Sequence, residues 1–85
     1  MTPYFSKSFR HDYHKLSHEI QQATDEAVNL LLSNPRYPSL RSKKLPNSHV
    51  WYARVNRAYR FTFQIDGDTI TLRRVGTHEI LGKER

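Results

Sequence analysis

Apolar residues in the first third of the chain recur at the spacing of an α-helix. They fall at i, i+4, i+8 and i+11, on one stripe of a 3.6-residue period: Phe5, Phe9, Tyr13 and Leu16. A second stripe of the same kind comprises Ile20, Ala23, Ala27, Leu30 and Leu31. Ser17 is a suitable N-cap for the second helix, and Pro35 ends it, because the residue before a proline is disfavoured in the α conformation. The pattern therefore predicts an αα-hairpin whose apolar stripes lie in the core.

From residue 50 onward, apolar and polar residues alternate with the period of two that is typical of a half-buried strand. Three strands are predicted, with the apolar positions Trp51, Ala53 and Val55, then Tyr59, Phe61, Phe63 and Ile65, then Ile70 and Leu72. A further short strand is predicted within RSKKL, residues 41–45. Residues 1–85 are accordingly predicted to form one α+β domain, in which two N-terminal helices pack on a three- to four-stranded antiparallel sheet.

The predicted turns align three arginines. A two-residue turn with Asp66-Gly67 at its centre places Arg60 opposite Arg73, and a three-residue turn at 56–58 places Arg54 opposite Arg60. The three arginines would then form one row on the sheet face away from the helices. Like charges directly opposite each other destabilise a sheet, whereas arginine forks suit phosphate oxygens. We therefore expect an anion-binding row, the alternative being that these side chains lie flat over apolar surface.

The charge distribution supports an anionic or acidic partner. The net charge is +6 and the pI is about 10.0, yet no acidic residue occurs between positions 27 and 65. That stretch contains Arg36, Arg41, Lys43, Lys44, Arg54, Arg57 and Arg60. The chain has no cysteine, which excludes disulfides and thiolate metal sites and suits the cytoplasm. No apolar run approaches the length of about 18 residues that a membrane span needs, so no membrane partner is expected.

Acid–base chemistry is indicated at the end of the last predicted strand. His78 follows that strand on the basic side and would exchange protons near neutral pH. Glu79 is a second, weaker candidate. Three other histidines, at positions 11, 14 and 18, have a spacing that could face one way, but the predicted helix break at Ser17 separates them. No metal site is predicted, and no zinc-protease, P-loop, nucleophile-elbow or dinucleotide motif that would imply a cofactor is present.

Four segments together resemble the RelE/ParE toxin superfamily. They are FSKSFRHDYHKL, NPRYPSLRSKKL, VWYARVNRAYRF and GDTITLRRVGTHEIL, which cover nearly the whole chain in the order found in that superfamily. The resemblance implies a compact toxin neutralised by a cognate antitoxin, as in plasmid-stabilisation modules. Its RelE-like branch, which the motifs favour, implies a metal-independent, ribosome-dependent endoribonuclease, or mRNA interferase. Such an enzyme inhibits translation by letting the 2′-hydroxyl of the message attack the neighbouring phosphate.

The resemblance also implies roles for individual residues. Arg60 matches a catalytic arginine of the superfamily, and His78 matches a position where several members carry a histidine or another basic residue. With these matches, the combined hypothesis assigns five catalytic candidates: Arg60, Arg54 and Arg73 to stabilise the phosphorane, His78 as general acid, and Glu79 as the only nearby carboxylate, with the base unassigned. It assigns four candidates to the RNA backbone: Arg41, Lys43, Lys44 and Arg57.

Two features depart from the superfamily pattern and keep other functions open. The usual N-terminal strand is expected to be missing or reduced to TPYF, and no tyrosine follows His78. One alternative is a ParE-like inhibitor of DNA gyrase that performs no chemistry. The other is a catalytically inactive, basic RNA-binding module.

Overall fold

The structure, a computed structural model, describes residues 1–84. Its helices are α1 (Lys7–His14), α2 (His18–Ser33) and the short α3 (Ile80–Lys83), and a 3-10 turn covers Pro38–Leu40. Its strands are β1 (Thr2–Phe5), β2 (Lys43–Lys44), β3 (Trp51–Arg54), β4 (Tyr59–Asp66) and β5 (Thr69–Thr77). The predicted α+β class, with an αα-hairpin followed by a mainly antiparallel sheet, is confirmed.

Side-chain caps define the two N-terminal helices. The Ser6 hydroxyl accepts a hydrogen bond from the Phe9 amide at 3.1 Å, and the Ser17 hydroxyl accepts one from the Ile20 amide at 3.3 Å. The N-cap predicted at Ser17 is therefore correct. Helix α2 ends at the residue before Asn34, whose φ of −158° is extended, as the following proline requires.

The N-terminal strand is present in the reduced form that was one of the two expectations, since β1 consists of TPYF. Strand β1 pairs in parallel with β5, from Thr2 opposite Thr69 to Phe5 opposite Leu72. Phe5 was assigned to the first helical stripe because it lies four residues before Phe9. It belongs to β1 instead, but its ring still packs 5.6 Å from the Phe9 ring. A strand residue that contacts a helical stripe from outside cannot be told from a helical residue by spacing alone.

The sheet has five strands in the order β1-β5-β4-β3-β2, more than the three to four predicted. All neighbouring pairs except β1 and β5 are antiparallel. Phe61 and Phe63 of β4 are almost completely buried in the core, together with Leu31 of α2 and Ile70 and Leu72 of β5. Because side chains alternate along a strand, the polar positions of β4, namely Arg60, Thr62 and Gln64, lie on the opposite face.

The register between β4 and β5 differs from the prediction in two ways. Asp66 pairs with Thr69, so the two-residue turn contains Gly67 and Asp68, and Gly67 has the positive φ of 58° that a glycine tolerates. A bulge then leaves Arg73 without a cross-strand partner, since Phe63 pairs with Leu72 but Thr62 with Arg74.

The displaced turn and the bulge together change the predicted arginine row. Arg54 lies opposite Arg60 as predicted, but the residue opposite Arg60 on β5 is Gly76 and not Arg73. The two adjacent arginines of β5 had already broken the alternation in the sequence. The row therefore consists of two arginines and a glycine.

Helix α3 packs on the sheet face that carries Arg60. A Cβ atom at Gly76 would lie 2.8 Å from Cγ2 of Ile80, so the helix approaches the strand where only a glycine fits. Ile80 is buried by this contact. The connection from β5 to α3 contains His78, and its position thus depends on how α3 is seated. Within residues 1–84, no helix is both long and apolar enough to cross a membrane.

Candidate functional site

A cavity of about 160 Å³ opens on the sheet face opposite helices α1 and α2. Its lining consists of Arg41, Lys43, Tyr52, Arg54, Arg60 and His78. The sheet brings these side chains together through its register, since Lys43 pairs with Tyr52 and Arg54 pairs with Arg60. Five of the six had been selected from the sequence, which makes this cavity the candidate site. No acidic side chain of the described chain lines it.

Arg60 is the most constrained cation of the cavity. Its Nη1 atom donates to the backbone oxygen of Asn56 at 2.6 Å and to that of Tyr59 at 2.9 Å, with a longer contact of 3.4 Å to that of Arg57. These bonds anchor one edge of the guanidinium to the β3–β4 turn. Burial, and after it the positive charge of Arg54, lowers the pKa of Arg60. The guanidinium nevertheless stays charged, so its charge is held where an anion would stabilise it.

The neighbouring cations differ in their placement. Lys43 and Lys44 form the two-residue strand β2, and their side chains alternate, so that only Lys43 lines the cavity. Arg41 precedes them and has a left-handed backbone with φ of 48°, an uncommon conformation for a residue with a side chain. Arg57 is exposed in the β3–β4 turn, outside the cavity lining. The four candidates for RNA binding thus divide into two inside the cavity and two outside it.

Two of the five catalytic candidates also lie elsewhere. Arg73 donates to the carboxylate of Glu84, at 2.9 Å from Nε and 3.3 Å from Nη2. Glu79 lines a separate hollow of about 240 Å³ beside Lys83. With Glu79 absent from the cavity, the proton acceptor left unassigned by the sequence would have to be a nitrogen base or water.

Tyr52 is the one cavity residue to which sequence analysis gave no role. It lies on the same face of β3 as Arg54, two residues before it. The feature that could have pointed to Tyr52 is an aromatic residue at a polar position of a strand. In the fold, cations surround it, and aromatic side chains placed in this way commonly stack on RNA bases. Tyr52 and Arg60 line the same cavity.

A larger hollow of about 600 Å³ shares only Arg41 with the cavity. Its lining includes Trp51, Phe63 and Ile65 and is mainly apolar. It lacks the concentration of cations that the smaller cavity has, so size alone does not mark the site of chemistry. Within residues 1–84, no group of three or more histidine and acidic side chains is arranged to hold a metal ion.

No protein-family model matches the sequence, and no curated protein matches it significantly. Solved structures do match over nearly the whole chain. A YoeB/ParE toxin from Agrobacterium tumefaciens superposes with a TM-score of 0.79 at 14% identity, covering 92% of this chain and 99% of that one. YafQ from E. coli gives 0.76 at 20% identity, covering 93% and 94%. A chain of the RelBE2 toxin–antitoxin complex from Mycobacterium tuberculosis gives 0.75 at 28% identity, covering 91% and 96%.

The chain therefore has the fold of the RelE/ParE toxin superfamily. The resemblance seen in the ordered sequence motifs is thereby confirmed, and so is the fold that it implied. Several of the superfamily structures were determined as complexes of a toxin with its antitoxin, including RelB–RelE from Methanococcus jannaschii and YoeB–YefM from Staphylococcus aureus.

Proposed function

We propose that this protein, as the toxin of a type II toxin–antitoxin pair, is a ribosome-dependent endoribonuclease that cleaves messenger RNA without a metal. One observation carries the proposal: a single cavity is lined by His78 and by the cations Arg41, Lys43, Arg54 and Arg60, and no acidic side chain of residues 1–84 lines it. Such a cavity favours a phosphate group, and it has an acid–base residue at its margin. A gyrase inhibitor would have no need of that histidine.

The cavity suits the charge changes of the reaction. The 2′-hydroxyl oxygen attacks the adjacent phosphorus, and its proton passes to a nitrogen base or to water. Arg54 and Arg60 stabilise the additional negative charge on the phosphorane. The bond from phosphorus to the 5′-oxygen then breaks, and His78 protonates that oxygen. The products are a 2′,3′-cyclic phosphate and a 5′-hydroxyl end.

The remaining side chains would bind rather than react. Lys43 and Arg41 lie at the β2 side of the cavity, where they would hold the phosphates that flank the cleaved bond. Tyr52 would offer its ring to a base next to that bond. An antitoxin that blocks this site needs acidic or amphipathic character, since the surface it covers is cationic.

The proposal is tested with purified protein on ribosomes programmed with a defined message. Wild type should cleave the message, and His78→Ala should cleave it roughly 10²–10⁴-fold more slowly while ribosome binding is retained. Lys43→Ala should weaken binding and flatten its salt dependence. Lys44→Ala is the matched control, because this neighbour on β2 lies outside the cavity and should have a much smaller effect.

Two results would overturn the proposal. One is an intact message together with loss of DNA supercoiling in a gyrase assay, which would favour the ParE-like alternative. The other is RNA binding without cleavage or gyrase inhibition, which would favour the inactive RNA-binding module.

A further inference from the structure

The last helix is joined to the sheet by an ion pair whose carboxylate is buried. Arg73 presents two nitrogens to the Glu84 carboxylate, at 2.9 and 3.3 Å, in the fork geometry of a strong charge-assisted pair. Its third nitrogen donates to the side-chain oxygen of Gln64 on β4 at 3.2 Å. The Glu84 side chain is only 6% exposed, whereas that of Arg73 is 37% exposed. A carboxylate buried to this extent needs its partner, because an unpaired buried charge is strongly unfavourable.

This ion pair lies at the far end of α3 from His78. At the near end, the backbone oxygen of His78 accepts a hydrogen bond from the Leu81 amide at 3.2 Å, so His78 belongs to the first turn of the helix. Between the two ends, Ile80 sits against Gly76, the residue opposite Arg60. The helix is only four residues long. Isolated helices this short are not stable in water, so its position depends on these two attachments.

We propose that Arg73 and Glu84 are positioning residues, which seat α3 so that His78 is held at the margin of the cationic cavity. The bulge at Arg73 allows this residue to pair with Glu84. Without the bulge, the pairing of Phe63 with Leu72 would continue and Arg73 would lie directly opposite Thr62. The bulge frees it from cross-strand pairing, and it binds the acidic end of α3 instead. This inference rests on the proposed function for its catalytic consequence, but not for its geometric one.

A general contribution to stability is the rival explanation, and the chain contains a matched control for it. The adjacent residue, Arg74, makes a second forked pair with Asp12 of α1, at 2.7 and 3.0 Å. Asp12 also accepts from the Val75 amide at 3.2 Å. Both pairs join an arginine of β5 to a helix, but only the pair of Arg73 involves α3. If positioning is the role, only the loss of the Arg73 pair will affect His78.

The test compares Glu84→Gln with Asp12→Asn in the full chain. Two readouts are taken: the single-turnover rate of message cleavage at saturating ribosomes, and the imidazole NMR signal of His78, identified by its absence in His78→Ala. For Glu84→Gln we expect a roughly 10-fold lower rate with unchanged ribosome affinity, and a shifted or broadened His78 signal. For Asp12→Asn we expect a lower melting temperature, but a normal rate and an unchanged His78 signal below that temperature.

Two further variants separate position from charge. Gly76→Ala places a Cβ against Ile80 and should disturb the His78 signal while the ion pair is intact. The exchange of both charges, Arg73→Glu with Glu84→Arg, should restore the signal and the rate towards those of wild type.

The outcomes are distinguishable. An unchanged His78 signal in Glu84→Gln would overturn the positioning role, and so would an equal change in Asp12→Asn. If the His78 signal responds as expected but wild type cleaves no message, the positioning role stands and the proposed nuclease function fails.

Discussion

Replacement of Arg60 by alanine separates the structural from the functional role of this side chain. Its effect on the free energy of unfolding and its effect on the cleavage rate are estimated separately. The variant loses two good hydrogen bonds, from Nη1 to the backbone oxygens of Asn56 and Tyr59. Each contributes about 0.5–1.5 kcal/mol net. Against this loss, the repulsion between the facing Arg54 and Arg60 disappears. Two like charges in close proximity in water repel each other by about 1 kcal/mol. The net destabilisation is therefore about 1 kcal/mol.

A loss of about 1 kcal/mol lowers the melting temperature of a domain of this size by about 4–8 °C. It leaves most of a typical stability of about 5–15 kcal/mol, so Arg60→Ala should remain folded at 25 °C. The catalytic effect should be much larger. Removal of one positioned charge from the transition state typically costs about 10²–10³-fold in rate.

The assay is single-turnover cleavage of a defined message on programmed ribosomes, with a circular dichroism melt of the same preparations. Arg57→Ala is the control, since this side chain is exposed in the same turn and outside the cavity. It should change both the melt and the rate little. The reasoning is refuted if Arg60→Ala cleaves within about threefold of wild type, or if it loses activity only because it is unfolded at the assay temperature.

Three further predictions concern stability. Phe61→Ala, at a fully buried core position, should cost about 3–5 kcal/mol in a denaturant titration, and a loss below 1 kcal/mol would mean that the assigned face of β4 is wrong. Its neighbour Thr62 is equally buried but its hydroxyl has no hydrogen-bond partner within the described residues, so Thr62→Val should raise stability by about 1 kcal/mol; a loss would show that the hydroxyl is hydrated. Burial, and then the hydrogen bond to Asp25, raises the pKa of Tyr13 above its ordinary value of 10.0. The stability that this shift contributes is present at neutral pH and is lost as the pH rises through the raised pKa, so Tyr13→Phe should show a shallower loss of stability at alkaline pH than wild type.

The elements that sequence analysis predicted well are those in which one local signal decides the structure. Ser17 and Pro35 bound α2 through backbone chemistry alone, and the alternation in β3 and β4 fixes which side chains face the core. Strand β1 could not be predicted in the same way. All four of its residues are exposed. The strand forms because it can pair in parallel with the edge of β5, which is far away in the sequence. Pairing of this kind depends on the whole fold and leaves little pattern in the strand itself.

The residues of the candidate site could be predicted only as far as the strand register could be predicted. The β3–β4 turn was placed correctly, so the pairing of Arg54 with Arg60 followed. The β4–β5 turn was placed one residue early, and this error alone took Arg73 out of the row. The bulge then placed Gly76 opposite Arg60. A bulge inserts one residue into one strand only, so no count of residues from the turn could locate it. The bulge had one sequence signal, the Arg73-Arg74 dipeptide, because the alternation predicted an apolar core residue at position 74.

Charge pairing separates the arginines of this sheet into two kinds. Each arginine of the β5 dipeptide has a carboxylate in a forked pair: Arg73 with Glu84, and Arg74 with Asp12. Within residues 1–84, the salt bridges found are these two, and neither includes Arg54 or Arg60. A protein with eight acidic residues could have supplied a partner to the cavity as well. Because leaving two facing arginines unpaired costs stability, their exposure to one another is better explained by a charged ligand that the free protein lacks. The glycine opposite Arg60 adds no third charge to the row, and the space above it is taken by Ile80 of α3.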